Sequence, residues 1–162
     1  MKKVHIGCDI QICRPEELDV KDRTLSDKAI EVAALAYAPY SEFQVGAAVM
    51  LDNGRIVTGN NQENVSYPCG ICAERVALFS AATLYPQSSI DTLVVVALVK
   101  DGCIASACPP CGLCRQVILE SEKRQQGKPI RILLYGAEEC IVIADGAKAL
   151  LPIQFDEKAF SR

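Results

Sequence analysis

The chain has 162 residues, half of them apolar and 23% charged, with a net charge of −3 and nine cysteines. This composition is that of a soluble globular protein with its own core, and no run of lysine or arginine is present to track a phosphate backbone, which excludes nucleic acid as a partner. The longest apolar run, Leu93–Val99, is far too short to cross a bilayer, so no membrane is involved. Met1-Lys2-Lys3 is basic, but no apolar stretch of export-signal length follows it. The expectation is a reduced, cytoplasmic protein, in which clustered cysteines bind metal more often than they form bridges.

In chain order, Val4, Ile6, Cys8, Ile10 and Ile12 alternate with Lys3, His5, Asp9 and Gln11, the period of a half-buried strand, until Pro15 breaks it. That strand lies on a sheet edge or against a neighbouring subunit. A helix is expected from Ser26, capped there or at Asp27 and stopped by Pro39. Val45–Leu51, the turn Asp52-Asn53-Gly54 and Arg55–Asn60 read as a hairpin. Gly46 inside its first strand marks a bulge or a close backbone approach, suited to a ligand passing over the strand. After the turn Pro68–Gly70 a helix runs from Cys72 to Leu84, and the valine-rich run Thr92–Lys100 is a central strand covered on both faces. A loop with Cys103 and Cys108 leads to a helix over Cys111–Arg124. Ile130–Tyr135 and Cys140–Ala144 form an antiparallel hairpin, and a short helix, Ala147–Leu151, ends at Pro152. The pattern predicts an α/β sandwich with helices packed on a five-stranded mixed sheet, plus the extra N-terminal strand.

The chemistry concentrates in Cys72-Ala73-Glu74-Arg75 and Pro110-Cys111-Gly112-Leu113-Cys114-Arg115. Cys72 and Cys111 fall where a turn becomes a helix, and unpaired N–H groups with the positive end of the helix dipole favour a thiolate there. Cys114 lies one turn after Cys111, on the same face. Three thiols with a carboxylate two residues from one of them are what an open, catalytic zinc site requires, and they match the H-x-E…P-C-x-x-C pattern of zinc-dependent nucleobase deaminases with Cys in place of His. Three thiolates leave the site with net negative charge, and Arg75 and Arg115 are placed to withdraw it through hydrogen bonds to sulfur; the plain alternative for each is an exposed helix residue. Glu74 is a proton shuttle or, more simply, an acidic residue in a first helical turn.

A rival reading joins Cys69 and Cys72 to Cys111 and Cys114 as a closed, structural Cys₄ zinc module. The 38 residues of Ala73–Pro110 between the two pairs exceed the spacing of about 15–20 usual for such sites, and a structural site has no need of Glu74.

The chain resembles the small zinc-dependent cytidine deaminases of the three-cysteine type from about Tyr40 to Phe155. The matching stretches are Ser41-Glu42-Phe43-Gln44-Val45-Gly46-Ala47-Ala48, Asn61-Gln62-Glu63-Asn64, Tyr67-Pro68, Cys72-Ala73-Glu74-Arg75, Pro110-Cys111-Gly112-Leu113-Cys114-Arg115-Gln116 and Leu150-Leu151-Pro152. The resemblance implies a three-layer α/β/α cytidine deaminase-like fold in one domain, with residues 1–23 as an N-terminal extension and 24–162 as the catalytic core. It implies one zinc ion per subunit held by Cys72, Cys111 and Cys114, with Glu74 deprotonating the zinc-bound water that attacks C4 of cytosine. Asn61 and Glu63 hold the ribose in this likeness; in an extended segment i and i+2 point the same way, so both can meet one sugar edge. A solvated hairpin end is the plain alternative for that pair.

The resemblance further implies a homotetramer with sites shared between subunits, Phe43 and Phe155 lining the pyrimidine pocket, and Tyr67 near the sugar. C-terminal core packing is an equal alternative for Phe155. The expected reaction is hydrolysis of cytidine or deoxycytidine to the uracil nucleoside and ammonia, in pyrimidine salvage. A deaminase of another cytosine nucleoside, such as blasticidin S, is the nearest alternative. Val65 and Leu113 stand where smaller residues are commoner, and Cys69 and Cys108 are additional thiols near the metal.

Overall fold

The most apolar stretch of the chain becomes the middle of its sheet. In the computed structural model, which describes residues 1–156 and Phe160, β4 (Ile90–Leu98) lies between β2 (Gln44–Leu51), antiparallel to it, and β5 (Arg131–Tyr135), parallel to it. β3 (Ile56–Asn60) returns antiparallel on β2, and β6 (Cys140–Ile143) returns antiparallel on β5, as the hairpin patterns require. β1 (Gln11–Cys13) then adds to β6, giving the order β1-β6-β5-β4-β2-β3.

The sheet therefore has the five expected strands and a sixth, the N-terminal strand, which takes the sheet edge, one of the two places open to it. Only Gln11–Cys13 pair; Val4, Ile6 and Ile10 are exposed and lie outside any strand. The reason is geometric. β6 ends at Ile143, one residue past the partner of Gln11, and offers no ladder against which residues 4–9 can pair.

Period-2 alternation sends side chains to two faces, and each face meets helices. Ala48, Val94, Val96, Leu133 and Val142 pack against Leu25, Ala29 and Ala33 of α1 (Val20–Ala33). Ala47, Val49, Leu93, Val95 and Leu134 pack against α2 (Ala73–Leu84), α3 (Gly112–Arg124) and the short α4 (Ala147–Leu150). The result is the expected three-layer α/β/α arrangement.

α1 starts earlier than its apolar pattern indicates. Asp19 is the N-cap, accepting from the Asp22 N–H at 2.8 Å, so the helix already spans residues 23 and 24. The first turn is polar because its inward face makes a charged contact: Asp22, 7% exposed, pairs bidentately with Arg131 of β5, both N–O distances 2.7 Å. Ser26 donates back to the Asp22 carbonyl and is buried in the helix, so it caps nothing.

Two glycines set how closely helices approach the β2–β3 hairpin. A Cβ on Gly46 would lie 2.0 Å from the Ala29 carbonyl oxygen of α1, so the close approach expected at Gly46 is made by a helix and not by a ligand. On the other face, a Cβ on Gly59 would lie 2.5 Å from the Ala77 nitrogen and 2.7 Å from the Ala73 oxygen of α2. Gly59 thus lets the first turn of α2 rest on β3. At the far end of α3, buried Glu122 accepts from the N–H groups of Ile130 and Ala147, both at 2.9 Å, and ties the start of β5 to α4.

Gly59→Ala is expected to push α2 outward at a cost of about 1–3 kcal/mol. Denaturant unfolding measures that loss, and competition with a chromogenic chelator should show zinc affinity weakened at least several-fold, since the displaced turn carries Cys72 and Glu74.

Candidate active site

Cys72 is the N-cap residue of α2 and Cys111 the N-cap residue of α3, both with extended backbone, so each sulfur lies at the positive end of a helix dipole. Cys114 lies in the first turn of α3 and is buried. The Cys72 and Cys111 sulfurs are 3.8 Å apart and those of Cys111 and Cys114 3.5 Å, and all three lie within 4.8 Å of one another. These are free thiols. Sulfurs bound about 2.3 Å from a tetrahedral zinc sit roughly 3.8 Å apart, so the three-sulfur face is already at metal-binding dimensions.

The electrostatics agree. Hydrogen bonding from Cys114 first, then from Arg75 and Cys111, holds the Cys72 thiol down at about 5 against the opposing effect of burial. Cys114 is pushed up correspondingly, chiefly by that same hydrogen bond and by burial. Arg75 Nη2 donates to Cys72 Sγ at 3.9 Å, as expected for a group that balances thiolate charge. Arg115 does not do this. Its Nε donates to the Pro110 carbonyl at 2.8 Å and its Nη1 to the Leu150 carbonyl at 3.1 Å, so it fixes the turn before Cys111 against the end of α4.

Glu74 is only 4% exposed. Burial first, then the Cys72 charge, raises its carboxyl above the ordinary range, which an acidic residue on a solvated helix turn would not show. Cys108 is also part-buried, and burial first and then the Glu74 charge push its thiol up. Cys69 is different: it is exposed, its Sγ lies 3.6 Å from Ser66 Oγ, and it is not in the sulfur cluster. The four-cysteine arrangement is not formed, because the 3₁₀ turn Tyr67–Cys69 ends before Gly70 and turns Cys69 away from Cys72.

A cleft of about 360 Å³ opens beside the sulfurs, walled by Asn61, Glu63, Tyr67, Cys72, Arg75 and Leu113 among others. Asn61 and Glu63 do share it, as their i, i+2 spacing predicts. Both are also structural. Asn61 Oδ1 accepts from Val45 N–H at 2.7 Å and its Nδ2 donates to the Phe43 carbonyl at 3.0 Å. Glu63 Oε2 accepts from the Tyr40 N–H at 2.8 Å, and its Oε1 takes the Ser41 hydroxyl. The Ser41 hydrogen bond first, then that from Tyr40, holds the Glu63 carboxyl below its ordinary range, so it is ionised.

Tyr40, in sequence only part of a loop, is a wall of the cleft and packs edge-on against Tyr67 at 6.4 Å. The signal for it is indirect: it precedes the serine that Glu63 must bind. Phe43 is part-buried behind the cleft and Phe155 is 62% exposed, its carbonyl accepting from Gln116 at 3.0 Å; neither is in the cleft wall. A larger cavity, about 860 Å³, lies at the opposite ends of α2 and α3 around Tyr85 and Gln125. It has neither thiol nor carboxylate in its wall and is not where the chemistry is.

A family model described as the cytidine and deoxycytidylate deaminase zinc-binding region matches residues 19–126. The chain belongs to that family. The matched span runs from the cap of α1 to the end of α3 and holds all three sulfurs, Glu74, Asn61 and Glu63. A family member from Halalkalibacterium halodurans, named cytidine deaminase, is 46% identical over 96 residues, which are 59% of this chain and 68% of the relative. The crystal structure of cytidine deaminase from Mycobacterium tuberculosis superposes with a TM-score of 0.65 at 35% identity, covering 85% of this chain and 99% of that one. That from Burkholderia pseudomallei gives a TM-score of 0.67 at 33% identity, covering 82% and 98%. In this family setting, the three-cysteine cluster is a zinc site.

Cys69→Ala should retain one zinc per chain by elemental analysis. Cys114→Ala, which removes the buried sulfur, should lose it.

Proposed function

We infer that the chain catalyses the zinc-dependent hydrolytic deamination of cytidine or deoxycytidine, giving the uracil nucleoside and ammonia. The observation that carries this is the conjunction of three converging sulfurs, a buried carboxylate two residues from one of them, and a nucleoside-sized cleft walled in part by Cys72, Asn61 and Glu63. It is an enzyme of the hydrolases acting on cyclic amidine carbon–nitrogen bonds.

Cys72, Cys111 and Cys114 would hold the metal. When bound, zinc supplies Lewis acidity that makes water acidic enough to serve as a nucleophile near neutral pH. Glu74 takes one proton of the attacking water as its oxygen adds to C4 of the pyrimidine and delivers it to N3; it then takes the proton left on the added oxygen and passes it to the 4-amino group, which leaves as ammonia. Its burial beside the cluster suits this role, since a carboxylate shielded from bulk water exchanges protons with the substrate and not with solvent. Arg75 offsets thiolate charge and so keeps the metal acidic, while Arg115 positions the Cys111 turn.

The ribose lies against Asn61 and Glu63. Their existing hydrogen bonds fix both groups and leave the second Nδ2 hydrogen of Asn61 and lone pairs of Glu63 for the sugar hydroxyls. An ionised Glu63 in that position also repels a 3′-phosphate, which selects free nucleosides. Tyr67 sits at the sugar side. The pyrimidine pocket is completed by Phe43 and by Phe155 from a neighbouring subunit of a homotetramer; Tyr67, Leu113 and Phe155 stand 79%, 64% and 62% exposed in the single chain, an apolar rim of the kind that subunit contacts cover. Free thiols in and around the site suit a reducing, cytoplasmic compartment.

Glu74→Gln keeps the shape and removes the proton carrier. Zinc content and thermal midpoint should match the parent, while kcat for cytidine falls by at least ~10²–10⁴. Turnover within a few-fold of the parent would remove Glu74 from the mechanism.

A further inference from the structure

Two thiols outside the metal site are direct neighbours across the sheet edge. In the antiparallel pairing of β1 with β6, Cys13 stands opposite Cys140. Directly opposed residues project to the same face, and both side chains do: Cys140 is fully buried in the cluster formed with α1, and Cys13 packs against that cluster. We propose that Cys13 and Cys140 form a reversible intramolecular disulfide that fastens the N-terminal segment to the sheet.

The distances suit it. Opposed residues of an antiparallel pair have Cα atoms about 4.5–5.5 Å apart, inside the roughly 4.4–6.8 Å range over which a disulfide closes without backbone movement. Among the described residues, this is the one place in the strand registers where two cysteines face each other. Both are free thiols. Both residues lie outside the span that matches the family model, and neither belongs to the three-sulfur cluster.

Closure needs an oxidant, and a low-molecular-weight disulfide such as oxidised glutathione serves. The Cys13 thiolate, the accessible partner, attacks one glutathione sulfur; a mixed disulfide forms and one glutathione thiolate leaves. The deprotonated Cys140 sulfur then attacks the Cys13 sulfur, forming the protein disulfide and releasing the second glutathione. Two protein thiols lose two electrons and two protons, and one oxidised glutathione becomes two reduced ones. Burial, with the Glu17 and Asp22 carboxylates, raises the Cys13 thiol, and burial raises that of Cys140, so the exchange is slow and its extent is set by the potential of the surroundings.

The bond matters because β1 is held by only three residue pairs. Oxidised, the segment becomes a permanent cover for the β6 edge; reduced, it is free to peel away and leave that edge open to another chain.

The test uses the zinc-loaded full-length protein, equilibrated in glutathione buffers of rising oxidised fraction, then acid-quenched, alkylated and digested for mass spectrometry. The expected product is a Cys13–Cys140 linked peptide pair from monomer-length chains, with zinc content unchanged. The thermal midpoint should rise by roughly 5–15 °C. Cys13→Ser, a change at a partly exposed position, should keep zinc and the reduced protein's midpoint and lose the oxidative rise. Recovery of Cys140 as alkylated thiol under conditions where exposed Cys8, Cys69 and Cys103 already carry glutathione overturns the proposal, as does an oxidative rise that persists in Cys13→Ser.

Discussion

Three sulfurs within 4.8 Å of one another repel as they ionise, and the structure is built to hold them there. Two helix N-termini point at the cluster, Arg75 donates to it, and a divalent cation completes the balance. Each of these depends on backbone placement that the sheet enforces. β3 brings Gly59 under the first turn of α2, and the parallel crossover from β4 to β5 carries α3 back across the same face, so that its first turn arrives beside that of α2. The metal site is the meeting point of two helix starts, and moving either helix by a side-chain width dissolves it.

Buried polar contacts secure the same elements from behind. Asp22–Arg131 joins α1 to β5 across the face opposite the site, Glu122 joins α3 to β5 and α4, and Arg115 joins the Cys111 turn to α4. Hydrogen bonds to charged groups contribute about 1.5–3 kcal/mol each, and removing one partner leaves a buried charge unmatched. These three ties account for polar residues at positions where an apolar pattern alone would place none. They also fix register, because each joins segments distant in sequence.

The core of the fold was legible because its strands carry plain periodicity: the valine run of β4, the alternating hairpin patterns and the helix over Cys72–Leu84 all lie within one or two residues of where the pattern puts them. The convergence of Cys72, Cys111 and Cys114 was legible from spacing, since a C-x₂-C at one helix start and a Cys-x-Glu at another each set a sulfur at a helix N-terminus. What failed did so for identifiable reasons. The start of α1 was hidden by a buried charge pair whose partner lies 109 residues away. Gly46 announced a close approach without saying by what. The alternation over residues 4–12 implied a strand longer than β6 can pair. The contact of Arg115 with two carbonyls, and of Glu63 with Tyr40 and Ser41, depends on loop geometry that no periodicity encodes.

The account stands or falls on one site being both metal centre and catalyst. The direct measurement follows the ultraviolet absorbance of cytidine during incubation with protein of known zinc content, before and after chelation and after zinc is restored. Uridine and ammonia should form in equal amounts, production should stop when zinc is withdrawn, and it should resume in proportion to zinc returned. Protein carrying a full complement of zinc that leaves cytidine and deoxycytidine unchanged would contradict it.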